Sequence, residues 1–221
     1  MFWTPQRTNL AEAKFIAEDQ YRFRNRSEVE LKPREAGLTQ LADVLESLQV
    51  PYFLADGTLL GAVRDADFLP WDDDVGLCMR AEDFRTYKQA LVDALEANGF
   101  EVHEGPKRNP KLNIYKFSEK YELTSWRLKR KMRVRWGLQM PSHFLESPAA
   151  VQLRGRTYPC PNPAEAYLEH RYGEWRVPRV GRGTHSPAIK TRWSLIKRRI
   201  RYFSPQWLMK LAGRDFLPKN N

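Results

Sequence analysis

Residues 52–79 read Tyr-Phe-Leu-Ala-Asp-Gly-Thr-Leu-Leu-Gly-Ala-Val-Arg-Asp-Ala-Asp-Phe-Leu-Pro-Trp-Asp-Asp-Asp-Val-Gly-Leu-Cys-Met, and this stretch decides the fold of the 221-residue chain. The apolar run at 52–54 follows a proline, which predicts the start of a strand. Asp-Gly-Thr at 56–58 breaks the run, and the apolar residues 59–63 predict a short helix. Residues 72–79 then predict an acidic strand.

The Gly-Thr turn predicts a phosphate site. A turn that opens a helix places free backbone N–H groups and the positive end of the helix dipole at one point. Gly57 and Thr58 are therefore predicted to bind phosphate through their backbone. Arg64, one or two turns into the helix, is predicted to pair with phosphate charge.

The acidic triplet predicts a metal site. Alternation along the strand places Asp72, Asp74 and Gly76 on one face. Two carboxylates so spaced can bind Mg²⁺ or Mn²⁺, which take oxygen ligands together with substrate phosphates. Asp72 and Asp74 are the predicted ligands, while Asp73, on the other face, is assigned to substrate binding. A solvated acidic turn is the alternative.

Two segments, Gly57-Thr-Leu-Leu-Gly-Ala-Val-Arg64 and Phe68-Leu-Pro-Trp-Asp-Asp-Asp-Val75, resemble the LicD/fukutin-type family of the nucleotidyltransferase-fold superfamily. A second block at 163–175, with Tyr-Leu-Glu, Tyr-Gly and Trp in that order, resembles the same family. The chain departs from the family pattern at one position. Gly76 stands where the family usually has the second aspartate of an Asp-x-Asp pattern.

The resemblance implies an α+β fold, with a nucleotidyltransferase-like mixed β-sheet covered by helices and a helical C-terminal extension. It implies a metal-dependent transferase that moves a phospho-alcohol group, such as phosphocholine or a polyol phosphate. The donor would be CDP-linked, and the acceptor would be a hydroxyl of a glycan or glycolipid. Asp72 and Asp74 would then be catalytic as well as metal-binding.

The resemblance also implies a third acidic residue, in a strand after the helix that follows the acidic segment. Glu122 is the candidate. A carboxylate there can share the metal and accept the proton of the attacking hydroxyl. A surface strand glutamate is the alternative for this residue.

Charge is divided unevenly along the chain. Residues 1–100 carry 11 Lys/Arg and 18 Asp/Glu, whereas residues 101–221 carry 26 and 9. An acidic metal-binding half and a basic second half suit a phosphorylated substrate. Basic surfaces also bind nucleic acid or anionic lipid, but the basic and aromatic residues form no nucleic-acid motif, so no specific nucleic-acid partner is expected.

Three parts are predicted: an N-terminal helical extension (1–33), a nucleotidyltransferase-fold domain (34–178) and a basic helical tail (179–221). Residues 188–203 predict a basic amphipathic helix, which either contacts an anionic membrane or packs on the domain. No apolar segment has the length of a signal peptide core or a membrane span. The expected location is cytoplasmic, with peripheral membrane contact through 188–203.

The remaining periodicities predict the elements around the site. Asn162 is the predicted N-cap of the last helix of the domain, because proline is welcome at the next position. Helices are predicted at 9–30, 34–49, 81–98 and 164–172, and strands at 100–103, 111–117 and 121–126, with a turn at 118–120.

Two other functions compete with the phosphotransferase. A nucleotide-sugar glycosyltransferase can also hold its donor through an Asp-rich motif, but that motif usually follows a longer nucleotide-binding region than the one present here. A catalytically weakened basic binding protein is the other alternative. Gly76 is its main support, because a missing carboxylate weakens a metal site.

Overall fold

The structure is a computed structural model and describes residues 25–177. In this range the helices are α1 (Glu28–Ser47), α2 (Asp56–Asp65), α3 (Ala81–Ala97) and α4 (Ala164–Tyr172), with a 3-10 helix at Ser142–Leu145. The strands are β1 (Phe53–Leu54), β2 (Val75–Arg80), β3 (Glu101–Glu104), β4 (Lys111–Lys116), β5 (Glu119–Lys129), β6 (Met132–Arg135), β7 (Leu138–Pro141), β8 (Ala149–Leu153) and β9 (Arg156–Cys160).

A mixed sheet with the order β1-β2-β5-β4-β3 forms the centre of the fold. The pair β2–β5 is parallel, and the other pairs along this path are antiparallel. A parallel pair requires a long crossover, which α3, β3 and β4 provide. The far end of β5 pairs with β6, and β6 pairs with β7. This mixed sheet with its helices confirms the predicted α+β class.

The core lies where the helices cover β2 and β5. From Val75 to Met79 every residue of β2 is buried, which is typical of a central strand. A leucine stripe on α1 is also buried, with Leu38, Leu41 and Leu45 at most 1% exposed. This stripe faces the sheet because residues three and four apart share one side of a helix.

The first described helix begins earlier than predicted. It starts at Glu28 rather than at residue 34, and Pro33 lies inside it. Ser27 and Glu30 form a capping box, in which the Ser27 N–H donates to Glu30 Oε2 at 2.8 Å. The boundary placed between residues 33 and 34 therefore falls inside a helix. Pro33 is the sixth residue of this helix, so the Val29 carbonyl lacks the hydrogen bond that an N–H at this position would donate.

The acidic segment precedes its strand instead of belonging to it. The strand predicted for 72–79 begins at Val75, and the N–H of Asp72 donates to the Leu69 carbonyl in a turn. Carboxylate oxygens of all three aspartates, Asp72 to Asp74, lie within 4.8 Å of one another. Asp73 is exposed between the half-buried Asp72 and Asp74.

Two further local predictions are wrong. The β4–β5 turn consists of Phe117 and Ser118, both with positive φ, so that residues 119 and 120 already belong to β5. A two-residue turn with φ > 0 at both positions matches the twist of a hairpin. Helix α4 is capped by Pro163 without a side-chain hydrogen bond, so Asn162 is not its N-cap.

Several predictions concern residues outside 25–177. They are most of the helix at 9–30, the tail 179–221 and its amphipathic segment 188–203. Among the residues that the structure describes, no helix is both long and apolar enough to cross a membrane.

A buried ion cluster fixes the acidic segment to the core. The Asp72 carbonyl accepts hydrogen bonds from Arg26 Nη1 at 2.5 Å and from Arg34 Nη1 at 3.1 Å. Arg34 is fully buried, and its Nε and Nη2 lie 2.8 and 2.7 Å from Glu119 Oε2. Arg26 Nε lies 3.4 Å from the other oxygen of Glu119. One carboxylate at the start of β5 therefore compensates both guanidinium groups.

Replacing that carboxylate is expected to destabilise the fold. Glu119→Gln removes the charged partner that two buried guanidinium groups share, which costs about 3–5 kcal/mol in the free energy of unfolding. The matched control is Glu165→Gln, because the Glu165–Arg176 pair is 65% exposed on each side and such pairs contribute about 0–1 kcal/mol. Urea unfolding of both variants measures the difference. Equal effects would contradict the role assigned to Glu119.

Candidate active site

The site begins where α2 meets the acidic segment. Gly57 lies in the first turn of α2, and a Cβ atom at this position would overlap the Asp72 carboxylate. Only glycine allows so close an approach. The first aspartate of the triplet is thereby brought to the N-terminal end of α2, where the helix dipole favours negative charge.

Thr58 and Gly76 join α2 to β2. The N–H of Gly76 donates to Thr58 Oγ1 at 2.8 Å, and the Gly76 carbonyl accepts from the Ala55 N–H at 2.9 Å. The Thr58 side chain is 2% exposed, so it holds the two elements together rather than facing a ligand. The backbone role predicted for Gly57 and Thr58 in phosphate binding stays a prediction.

The aspartates are under strong electrostatic strain. Burial, followed by repulsion from Asp74, raises the pKa of Asp72 from 3.8 to about 8. Burial likewise raises the pKa of Asp74, with Glu122 and Asp73 adding to the effect. Negative charges gathered in a half-buried place favour a bound cation.

The residues present fit a divalent cation. The described acidic cluster offers oxygen atoms alone, which are the ligands that Mg²⁺ and Mn²⁺ prefer. A bound cation would also relieve the repulsion that raises the two aspartate pKa values. Asp72 and Asp74, the predicted ligands, are the half-buried members of the cluster, and Asp73 is the exposed one.

Glu122 lies beside Gly76 but is engaged by cations. Gly76 and Glu122 are register partners on the parallel strands β2 and β5. The Glu122 carboxylate forms ion pairs with Lys111, with Arg135 at 3.1 Å and with Lys120 at 3.7 Å. The structure therefore brings Glu122 to the site, with its charge already matched by three basic groups.

Helix α4 closes another side of the site. Arg171 is buried, and its Nε donates to Asp56 Oδ1, in the first residue of α2, at 2.7 Å. Its Nη1 is buried and makes no hydrogen bond to any described residue. Burial raises the pKa of Tyr172, and the carboxylates of Asp56, Asp72 and Asp74 also contribute. Tyr172 therefore lies within electrostatic reach of the acidic cluster, and Arg171 lies against Asp56 at the start of α2.

Arg64 does not join this group. Its guanidinium donates to both carboxylate oxygens of Asp65, at 2.9 and 2.7 Å. Eight residues of helix separate it from Asp56, which corresponds to about 12 Å along the axis. Arg64 therefore lies at the opposite end of α2 from the predicted phosphate site.

Sequence reasoning missed Lys120 and Arg171. Lys120 stands two residues before Glu122 on one strand, so period two could have placed both on the same face. Arg171 lies in the second sequence block, at 163–175. Its contact with Asp56 depends on how α4 packs on α2, which no local pattern contains.

Comparison with known proteins places these features in a family. Residues 49–163 match the family described as "LicD/FKTN/FKRP, nucleotidyltransferase domain". Ribitol 5-phosphate transferase FKRP of Homo sapiens is 28% identical over 148 residues, which cover 59% of this chain and 29% of that relative. Lipopolysaccharide cholinephosphotransferase LicD of Haemophilus influenzae is 38% identical over 42 residues, which cover 19% of this chain and 16% of that relative.

Among solved structures, a crystal structure of ANT(2")-Ia in complex with adenylyl-2"-tobramycin is similar with a TM-score of 0.46 and 14% identity. That similarity covers 80% of this chain and 94% of the other. The chain spans less than a third of the length of each of the two curated relatives named here.

The raised pKa of Asp72 predicts pH-dependent stability of the metal-free protein. The native state holds this proton more tightly than the unfolded chain, so the free energy of unfolding falls as pH rises from 3.8 to about 8. Asp72→Asn removes that penalty. With chelator at pH 8 the variant is expected to be more stable than the wild type by about 2 kcal/mol, allowing for solvent screening of a half-buried group.

The same comparison at pH 4 is expected to show little difference between Asp72→Asn and the wild type. Asp93→Asn on the exposed face of α3 is the matched control, and it should change stability little at either pH. Denaturant unfolding at both pH values provides the measurement. A difference between Asp72→Asn and the wild type that is independent of pH would contradict the repulsion described here.

Proposed function

This chain belongs to the LicD/FKTN/FKRP nucleotidyltransferase family, and we propose that it transfers a phospho-alcohol group from a CDP-linked donor to a hydroxyl of a glycan or glycolipid. The observation that carries the proposal is the meeting of the α2 N-terminus with the acidic cluster. An anion site and a cation site then lie side by side, as a donor diphosphate with its metal requires.

The reaction replaces a phosphoanhydride bond by a phosphodiester bond. The acceptor oxygen forms a bond to the phosphorus that carries the alcohol, and the bond from that phosphorus to the bridging oxygen of CDP breaks. CMP leaves, and the acceptor hydroxyl releases one proton. Because little covalent work falls to the protein, positioning and charge compensation are what the chain must supply.

Asp72 and Asp74 would hold Mg²⁺ or Mn²⁺. The bound ion would supply compensation for the negative charge of the donor phosphates and of the departing CMP. The backbone at Gly57 and Thr58 would bind a donor phosphate at the start of α2. Asp73, the exposed member of the cluster, is assigned to substrate contact.

Arg171 takes the role in phosphate binding that was assigned to Arg64. It lies at the correct end of α2, against Asp56, and its buried Nη1 lacks a partner among the described residues. A buried donor without a partner is costly, and a phosphate oxygen would satisfy it. The Asp56 carboxylate holds the guanidinium in place for that contact.

The assignment of the acceptor proton to Glu122 stays a prediction. The three cations around this carboxylate support a second role, in which Glu122 positions Lys120 and Arg135 beside the donor phosphates. A nucleotide-sugar glycosyltransferase has no observation in its favour. The transferred alcohol, whether choline or a polyol, and the cytoplasmic, membrane-peripheral location remain expectations from the sequence.

Loss of a metal ligand is expected to abolish turnover. Release of CMP from a panel of CDP-alcohols should require Mg²⁺ or Mn²⁺, and Asp74→Asn should reduce it at least about 100-fold, because charge compensation at the phosphates is lost. Asp93→Asn is the matched control and should keep wild-type activity. Unchanged activity in Asp74→Asn, or no CMP release with any donor, would overturn the proposed function.

Arg171→Lys is expected to weaken donor binding. Lysine keeps the charge but cannot bind Asp56 and a phosphate oxygen with the same planar fork. The KM for the CDP-alcohol should rise about tenfold, which is about 1.4 kcal/mol, with a smaller change in the KM for the acceptor. Arg176→Lys, at an exposed position just after the end of α4, is the control. Equal donor KM values in both variants would remove Arg171 from the phosphate site.

A further inference from the structure

We propose that the Lys120 ammonium group is a permanent cation of the site, which restricts the chain to one divalent ion. This inference rests on the proposed function, since it takes Asp72 and Asp74 as the ligands of that ion. Lys120 would occupy the region between Asp74 and Glu122, where a second ion could otherwise bind. Two-metal sites place their ions about 3.5–4 Å apart, which makes this neighbouring region the relevant one.

The position of the ammonium group is the first observation. Lys120 Nζ lies 3.2 Å from Asp74 Oδ2 and 3.7 Å from Glu122 Oε2. It therefore bridges the last aspartate of the cluster and the glutamate of the adjacent strand. An oxygen pair of this kind, one just before β2 and one on β5, is what a second divalent ion would need, and the ammonium already uses both oxygens.

The second observation is the place and the tight surroundings of Gly76. It is the register partner of Glu122, so a carboxylate at 76 would face the same region. A Cβ atom at Gly76 would lie 3.0 Å from the Ala55 carbonyl oxygen and 3.4 Å from Asp56 Cβ, which leaves little room for a side chain. The chain thus lacks one anionic ligand at the place where it gains a fixed positive charge.

The surroundings keep this charge in place. Lys120 is 25% exposed at its side chain, and its ammonium group is held by ion pairs to Asp74 and Glu122. Lys111 and Arg135 also bind Glu122 and hold its carboxylate beside the Lys120 ammonium group. An ammonium group cannot be removed by a chelator, unlike a bound ion. Part of the charge compensation is therefore independent of metal supply.

The number of bound Mn²⁺ ions tests the inference without measuring activity. Equilibrium dialysis with detection of free Mn²⁺ by electron paramagnetic resonance should give one ion per wild-type chain. Lys120→Gln should bind two, because the positive charge between Asp74 and Glu122 is removed, whereas Lys120→Arg should bind one. Lys129→Gln, an exposed position on the same strand, is the charge-matched control and should bind one.

The outcomes separate the two proposals. Two ions in the wild type would overturn the inference and leave the metal site intact. One ion in Lys120→Gln would do the same. No Mn²⁺ bound by the wild type would overturn the metal site itself and the inference with it. Thermal unfolding of each variant identifies any that is not folded. If Lys120→Gln is not folded, two other variants decide. Asp74→Asn must lose the ion that the wild type binds. Two ions in Lys120→Arg would contradict the inference.

Discussion

The carboxylate of Glu119 is the constraint on which the site depends. It compensates two buried guanidinium groups, and these groups hold the carbonyl of Asp72. Because buried charges cannot remain uncompensated, α1, the acidic segment and the start of β5 adopt one arrangement together. Three carboxylates that repel one another are thereby kept in a space that they would not occupy by themselves.

The uneven charge of the chain becomes a juxtaposition in space. Asp56 and Asp74 come from the acidic half, while the cations that pair with them, Arg171 of α4 and Lys120 of β5, come from the basic half. The parallel pairing of β2 with β5 produces this meeting, since it aligns Gly76 with Glu122. A polyanionic donor with its metal finds both signs of charge within one site.

Much of the fold could be predicted because its signals are local. The helix after the acidic segment and the helix at 164–172 both follow from periodicity and from the glycine that ends each of them. The start of β2 could not be predicted, because Arg26, just before α1, and Arg34 within α1 hold the carbonyl of Asp72. Lys120 and Arg171 escaped for a related reason: their partners depend on strand register and helix packing. Arg64 looked suitable in the sequence, yet its neighbour Asp65 binds it at the far end of α2.

The ion pairs of the site extend beyond the segment that the chain shares with its family. Arg26 and Arg34 precede residue 49, and Arg171 follows residue 163. A fragment cut at the limits of the family match would leave Glu119 without both of its guanidinium partners. The smallest unit that folds by itself must therefore include the ion-pair partners of the site, and not only the sequence shared with the family. Any graft of this site onto another scaffold must carry α1 and α4 with it.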